Sequence, residues 1–347
     1  MVKFYKLLKD KFKILLVPVC FIFLQTEFVF SQDIHFSQYF STPLAINPAN
    51  TGNFDGNWRL MNTYRTQWKV LSIPYETFAA GFDKHFYIFS EQISAGLFYI
   101  HDKSGSIGLT ADKLYFSIAY SRQIKSNNIS FGIQPGVVRK YFDMRSILFP
   151  DQFSWNTGGY DPNISNGETN LNDKTTYFDL NIGIRWFKKF NKIKPEAGLA
   201  FYHLNKPRES FGTIDLYKLP IRSVLHLSTE FRFDNSFFFE LQTLYMNHKV
   251  ATEFLPGFNI GIKTDKTERK IKSVFAGGYY RGGFNQYDAI VAVFGINYKQ
   301  TRIGLSYDIN ISELQAHTDK RGAFEISLIY CGLNTIPSKV YVPCDIY

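Results

Sequence analysis

Apolar and polar residues alternate along the chain, most clearly in the segment TTYFDLNIGIRWF at residues 175–187. Successive side chains of a β-strand point to opposite faces, so this alternation predicts a strand with one apolar and one polar face. The apolar face carries Thr176, Phe178, Leu180, Ile182, Ile184 and Trp186. The polar face carries Tyr177, Asp179, Asn181, Gly183 and Arg185. One face suits hydrocarbon and the other suits water, as in the wall of a transmembrane barrel with a polar lumen.

The same alternation recurs in KLYFSIAYS at 113–121 and in IRSVLHLSTEFRF at 221–233. Over the whole chain it predicts about 14 strands. They are 57–68, 75–83, 93–101, 112–122, 128–142, 175–188, 194–205, 219–233, 236–247, 252–263, 271–281, 288–298, 301–310 and 322–331. Strands of this length suit a tilted bilayer crossing, whereas soluble sandwiches more often use strands of roughly five or six residues. The sequence therefore predicts an all-β protein, a transmembrane up-and-down antiparallel β-barrel.

The predicted connections alternate between short and long. The short ones include SNN near 126, DN at 234–235 and KQ at 299–300, and the long ones include 102–111, 143–174, 206–218 and 311–321. Bacterial outer-membrane barrels have short periplasmic turns and long outer loops. An even number of strands also returns both chain ends to one side, which we expect to be the periplasm. A soluble β-sandwich has no reason to keep this parity.

Composition agrees with the alternation. Aromatic residues make up 18% of the chain, with 35 Phe and 22 Tyr, yet the mean hydropathy is −0.16. After the first 31 residues, no apolar run approaches the length of a membrane-spanning helix. A protein with many aromatic residues and no long apolar run is one that places them at alternate positions.

Residues 1–31 resemble a secretory signal peptide. Five lysines precede the apolar stretch from Ile14 to Leu24, and small-residue spacing allows cleavage before Gln32. A retained membrane anchor is the rival interpretation, but the apolar stretch is short and is interrupted by Pro18. A lipoprotein signal at Cys20 is the third, although small residues do not precede this cysteine. We expect an exported protein with one barrel domain at 57–331, an N-terminal periplasmic or lumenal segment at 32–56, and a periplasmic tail at 332–347.

The net charge bears on the classes of partner that the protein can have. The formal net charge is +9, but the cations are scattered, and an exported chain rarely meets nucleic acid, so we expect no nucleic-acid partner.

Cys331 and Cys344 could form a disulfide in an oxidising compartment or remain two free thiols. The loop at 143–174 is rich in Asn, Gly and Asp, and either folds inward or projects to a partner.

No motif in the sequence predicts catalysis or a cofactor. The seven histidines are isolated from one another, and neither HExxH nor GxSxG occurs. The HDKSG stretch at 101–105 places a histidine, an aspartate and a serine together, but we interpret it as a polar outer loop, because a catalytic triad is set by tertiary geometry. The sequence therefore predicts a non-enzymatic protein without a metal or cofactor.

Charged residues in the inward register form a second group of candidates. Arginines Arg59, Arg65, Arg185, Arg222 and Arg232 face the predicted lumen, as do the carboxylates Asp179, Glu196, Glu230 and Glu240. They could pair with each other and fill the interior, or they could line an anion-selective pore. The first interpretation is favoured, and the second stays open.

Nine segments, in order, resemble the PorP/SprF family of outer-membrane proteins of Bacteroidota. They are QDIHFSQYFSTPLAINPANTG, NTYRTQW, HDKSGSIGLT, FGIQPGVVRKYFD, AGLAFYHLNKP, AGGYYRGGF, GLSYDINISEL, GAFEISLIYC and VPCDIY. The resemblance implies an outer-membrane β-barrel of the type IX secretion system. It also implies partners: periplasmic components of that machine and a large secreted adhesin or other client, including adhesins used in gliding.

The first of these segments, at residues 32–52, fits neither helical nor strand periodicity. Its aromatic and polar residues could pack against a lumen wall or a partner, while prolines would fix turns. The candidates for this contact are His35, Phe36, Gln38, Tyr39, Phe40, Asn47 and Pro48. We therefore expect an N-terminal plug.

Three functions are compatible with the sequence. The first is a non-enzymatic barrel for secretion or adhesin anchoring. The second is a passive diffusion porin, against which the many aromatic and charged lumen residues argue. The third is a lipid-modifying enzyme of the outer membrane, for which no Ser or His site near a rim was found.

Overall fold

The computed structural model describes residues 34–333 except 70–72, 89–90, 106–107, 145–146, 169, 213–216, 234–235, 250, 265–269, 284–285 and 317. The predicted signal peptide and Cys344 lie outside these residues.

Fourteen antiparallel strands form a closed barrel in which each strand pairs with its neighbours in chain order. They are β1 (Trp58–Gln67), β2 (Tyr75–Ile88), β3 (Glu91–Ser104), β4 (Leu109–Ile124), β5 (Asn127–Tyr141), β6 (Lys174–Lys188), β7 (Ile193–Tyr202), β8 (Arg222–Arg232), β9 (Phe237–His248), β10 (Ala251–Lys263), β11 (Ile271–Gly282), β12 (Tyr287–Tyr298), β13 (Thr301–Asn310) and β14 (Arg321–Cys331). Strand β1 closes the barrel on β14, from Arg59 opposite Cys331 to Gln67 opposite Ala323. The predicted fold class and strand number are confirmed.

Burial follows the predicted alternation. In β6, Phe178 is 53% exposed on the outer face, whereas its neighbour Asp179 is fully buried on the inner face. Large apolar side chains are exposed in the same way on the outside of the other strands, for example Phe131, Ile262 and Phe294. In water such an apolar surface would be unfavourable, but it suits the hydrocarbon of a bilayer.

The two ends of the barrel differ in their connections. The short-turn end carries both ends of the strand array and the connections 89–90, 125–126, 189–192, 233–236, 264–270 and 299–300. The long-loop end carries 68–74, 105–108, 142–173, 203–221, 249–250, 283–286 and 311–320. Two connections depart from this parity: 249–250, at the long-loop end, has two residues, and 264–270, at the short-turn end, has seven.

Several predicted boundaries need correction. The predicted loop 102–111 shrinks to 105–108, because β3 and β4 continue pairing to Ser104 and Leu109. Strands β7 and β8 are shorter than predicted. The Asn205 side chain replaces the missing strand there: its amide donates to the Phe178 carbonyl at 2.6 Å and its carbonyl accepts from the Leu180 N–H at 3.1 Å.

Helical structure in the described residues is limited to short turns. They include Tyr39–Ser41, Pro43–Ile46, Pro48–Asn50, Pro150–Gln152 and Glu313–Ala316. A hairpin of two-residue strands, Phe153–Ser154 and Gly159–Tyr160, lies in the connection 142–173. Within the described ranges, no helix has both the length and the apolar character needed to cross a membrane.

Candidate functional site in the barrel lumen

Residues 34–57 are here called the N-terminal segment, and residues 34–52 of it lie inside the barrel. Contacts at its two ends give its direction. His35 lies 3.4 Å from Glu253 near the start of β10, at the long-loop end. The Gly52 carbonyl accepts a hydrogen bond at 3.0 Å from Gln92 near the start of β3, at the short-turn end. The segment therefore runs along the lumen from the long-loop half to the short-turn end, where β1 begins.

The local fold of the segment follows from its prolines and one asparagine. Pro43 and Pro48 occupy the first positions of short helical turns, where a missing N–H costs nothing and the fixed φ favours the helix. Asn47 ends the first turn and caps the second, because its side chain accepts a hydrogen bond from the Ala49 N–H at 2.8 Å. The prolines, expected to fix turns, thus begin helices that remain a single turn.

Ser37 and Gln38 are bound by four charged side chains of the wall. The N–H groups of both residues donate to the Glu325 carboxylate at 2.9 Å. The Ser37 hydroxyl donates to Asp308 at 2.8 Å and accepts from Arg65 at 2.7 Å and from Arg281 at 2.9 Å. We call Arg65, Arg281, Asp308 and Glu325 the charged cluster.

The charged cluster is held together by its own ion pairs. Arg65 lies 2.9 Å from Asp308 and 3.3 Å from Glu325, and Arg281 lies 2.8 Å from Asp308. All four residues are almost fully buried. Buried charges are stable only when each is paired and hydrogen-bonded, and Ser37 completes this network.

Asn47 lies against the lumen wall, at a place where the nearest strand positions are glycines. Its side-chain amide donates to the Ile184 carbonyl at 2.9 Å and lies 3.2 Å from Nε2 of His226. A Cβ on Gly183 would lie 1.9 Å from the Asn47 Oδ1, and one on Gly132 would lie 2.3 Å from the carbonyl carbon of Pro48. The glycines therefore give the segment the space to approach the backbone of β5 and β6.

Apolar side chains of the segment pack on both halves of the wall. Phe36 and Leu44 belong to a buried cluster with residues of β1–β6. Tyr39 and Ile46 belong to a second cluster with residues of β7–β12. Burial, with smaller effects of Tyr279 and Glu240, raises the pKa of the Tyr39 phenol well above its ordinary value of 10.0, so this group stays neutral. The segment thus connects two apolar clusters that would otherwise face an empty lumen.

Phe40 and Gln38 make further contacts with the wall. The Phe40 ring stacks on Tyr279 with centroids 5.8 Å apart, and the Arg302 guanidinium lies 5.1 Å from its centre. Gln38, in turn, has its side-chain carbonyl 2.8 Å from the Ser327 hydroxyl, which donates to it. All seven residues named from the sequence therefore lie in the lumen.

The inward-facing charges named from the sequence pair locally. Arg185 bonds Glu196 at 2.6 Å, and Glu230 bonds Lys263 at 3.0 Å as well as Arg232. Asp179 instead meets His203 at 2.9 Å and the Tyr115 hydroxyl at 3.0 Å. The Arg222 guanidinium lies 4.3 Å from the centre of the Tyr202 ring. These groups are distributed around the wall and do not form one ring of like charge.

Arg59 has a partner that the sequence did not identify. It pairs with Asp83 at 2.7 Å, and the same carboxylate accepts from the Gly52 N–H at 2.7 Å. Gly52 has a φ of +73°, a conformation that favours glycine. Sequence reasoning also missed Ser37, Arg281, Asp308 and Glu325. For the three charged residues, the available signal was their inward register in β11, β13 and β14.

Cys331 ends β14, is half-buried and has no disulfide within the described residues. Because Cys344 lies outside them, the pairing of these two cysteines stays a prediction. Among the described residues, no group of His, Cys, Asp and Glu could hold a metal ion.

The protein is a closed fourteen-stranded barrel with an apolar outer surface and its N-terminal segment inside. This geometry can be compared with known families. A family model described as type IX secretion system membrane protein PorP/SprF matches residues 28–330. The chain belongs to this family. It is therefore an outer-membrane β-barrel protein of the type IX secretion system, and the family resemblance of the sequence is confirmed.

Solved structures to which the chain is similar include the following three. The Pseudomonas putida toluene transporter TodX is 13% identical, with 83% of this chain and 92% of that chain covered and a TM-score of 0.46. The CymD monoaromatic hydrocarbon channel is 10% identical, with 84% and 93% covered and a TM-score of 0.44. A mutant of the Rh. blastica porin is 8% identical, with 79% and 98% covered and a TM-score of 0.32. No curated protein matches the chain.

Proposed function

We propose that this PorP/SprF protein is a non-enzymatic barrel that supports the secretion or surface anchoring of a large client, such as an adhesin used in gliding. In this proposal the short-turn end faces the periplasm and meets the secretion machinery there, since outer-membrane barrels place their short turns on that side. The long-loop end then faces the cell surface.

The occupied lumen is the observation that carries the proposal. Residues 36–39 and 46–52 are buried between the walls, hydrogen-bonded to strands on several sides. A barrel whose lumen is occupied by its own chain offers no wide aqueous path while the segment is in place. Its contribution to secretion therefore comes from contacts at its two ends.

Deletion of the protein tests this function. We expect surface exposure of one or a few large secreted proteins to be lost, while uptake of small hydrophilic solutes stays unchanged. Protease accessibility of surface proteins on intact cells measures the first, and uptake of a labelled sugar measures the second. Complementation with the full chain is the control, and undiminished surface display in the deletion strain would refute the proposal.

A further inference from the structure

The connection 142–173 contains a small hairpin at the long-loop end. Phe153 pairs with Tyr160 and Ser154 with Gly159, and the Gly158 N–H donates to the Ser154 carbonyl at 2.9 Å. Residues 155–158 form the turn of this hairpin, and Trp155, the first of them, is 89% exposed. We call residues 149–164 the aromatic loop.

The aromatic loop is ordered by one buried glutamine. The Gln152 side-chain carbonyl accepts from the Phe149 N–H at 3.0 Å, and its amide donates to the Ile164 carbonyl at 2.9 Å. Its backbone carbonyl accepts from the Asp161 N–H at 2.9 Å. These bonds close the loop on itself, so its tip has a defined shape before any partner arrives, which lowers the entropic cost of binding.

Three aromatic rings form the tip. The Phe153 ring makes edge-on contacts with the rings of Trp155 and Tyr160. The centroid distances are 5.1 Å to Trp155 and 5.3 Å to Tyr160. Tyr160 is 53% exposed. Large exposed aromatic side chains held in place by packing are typical of the central contacts of protein interfaces. The tip therefore has the features of an interaction surface.

Charge indicates which partner fits this surface. Residues 147–173 include four carboxylates, Asp151, Asp161, Glu168 and Asp173, and no lysine or arginine, although the whole chain has a net charge of +9. Asp151, Glu168 and Asp173 are exposed. Such a loop repels an anionic surface such as the phosphates of lipid headgroups and attracts cations. Trp and Tyr rings also bind Arg and Lys over their faces.

We propose that the aromatic loop docks a segment of a secreted protein that is rich in lysine and arginine. Trp155 and Tyr160 contact the cationic side chains, and the carboxylates steer the segment toward them. The inference rests on the proposed function, since it places this end of the barrel at the cell surface and a client beside it.

Binding of a defined peptide tests the inference in vitro. The probe is a labelled peptide of alternating arginine and glycine, added to the full-length mature protein in detergent and followed by fluorescence anisotropy. We expect Trp155→Ala and the pair Glu168→Gln with Asp173→Asn each to weaken binding by about tenfold. The matched controls are Tyr287→Ala, which removes a 70% exposed aromatic ring at the same end, and Glu313→Gln, which removes an exposed carboxylate there.

The peptide-binding experiment distinguishes a protein partner from a lipid partner. Equal weakening by the control variants, or no binding by the original protein, would overturn the inference. Binding of lipopolysaccharide vesicles that depends on Trp155, without binding of the peptide, would also overturn it and assign the tip to lipid.

A test in cells separates this inference from the proposed function. We expect the Trp155→Ala protein, at normal abundance in the outer membrane, to restore less surface display of the client to a deletion strain than Tyr287→Ala does. Full display with Trp155→Ala would reject the aromatic loop as a docking site and leave the proposed function standing. Undiminished display in the deletion strain itself would reject the proposed function, whatever the peptide result.

Discussion

Ser37 connects the N-terminal segment to the wall through a single hydroxyl. That group bonds Asp308, Arg65 and Arg281, which lie on β13, β1 and β11. The neighbouring N–H groups of Ser37 and Gln38 add Glu325 of β14. One residue of the segment therefore links strands on both sides of the β1–β14 closure.

Removing the charge of Asp308 should destabilise the protein. In Asp308→Asn, Arg65 and Arg281 both lose a buried ionic partner, and a broken buried pair costs about 3 kcal/mol or more. We expect a lower midpoint of thermal unfolding, measured by circular dichroism in detergent.

Asp319→Asn is the matched control, since Asp319 is exposed and Asn tolerates its positive φ. A midpoint for Asp308→Asn equal to that of this control would show that the charged cluster contributes nothing to stability.

A methyl group on Gly183 should displace the segment. Its Cβ would lie 1.9 Å from the Asn47 Oδ1, whereas a Cβ on Gly278, the control position, would have no neighbour closer than 3.9 Å. We therefore expect Gly183→Ala, but not Gly278→Ala, to expose the segment to chymotrypsin, with cleavage after Tyr39 or Phe40 detected by mass spectrometry. Identical protection in the two variants would mean that the wall adjusts to the methyl group.

The N-terminal segment, as an element, has little regular structure of its own. Its three helical turns contain only three or four residues each, too few to be stable alone. Its conformation is set by the wall, through apolar packing on two sides and hydrogen bonds to backbone carbonyls such as those of Ile184 and Leu199. An isolated peptide of this sequence would not keep this conformation.

Deleting residues 34–52 should open the lumen. We expect single-channel conductance in planar bilayers for the deletion variant and little steady conductance for the original protein, because the segment occupies the path between the two ends. Deletion of residues 153–160 in the aromatic loop is the control and should leave conductance low.

Strand content by circular dichroism confirms that each deletion variant has folded. High conductance of the original protein would support the diffusion-porin alternative instead.

At the level of the whole molecule, the barrel has one closed wall and two unlike ends. The strand order is that of the chain, so neighbouring strands are joined by single connections. The longest connections, 142–173 and 203–221, lie at one end. The hydrogen bonds of Gln152 close the aromatic loop on itself. A change at the tip of this loop should therefore alter binding there without altering the lumen, so the loop can be tested apart from the N-terminal segment.

The sequence alone determined the strand array, because a wall between hydrocarbon and a polar interior requires alternation at every crossing. It also indicated the inward residues Arg59, Arg65, Asp179 and Arg185, whose parity is fixed by the same period of two. It could not assign Asp83 to Arg59 or Asp308 to Arg65, since parity gives the face of a residue but not the register of its strand against nearby strands.

Only the tertiary structure decided the path of residues 34–57. These residues have no periodicity of their own, and their hydrogen bonds go to residues as distant in sequence as Glu325. The glycines are a second example. Gly132 and Gly183 leave space for Pro48 and Asn47, and this role can be recognised only in the tertiary structure. Local patterns specify elements, whereas contacts across the lumen depend on closure of the barrel around its own N-terminal segment.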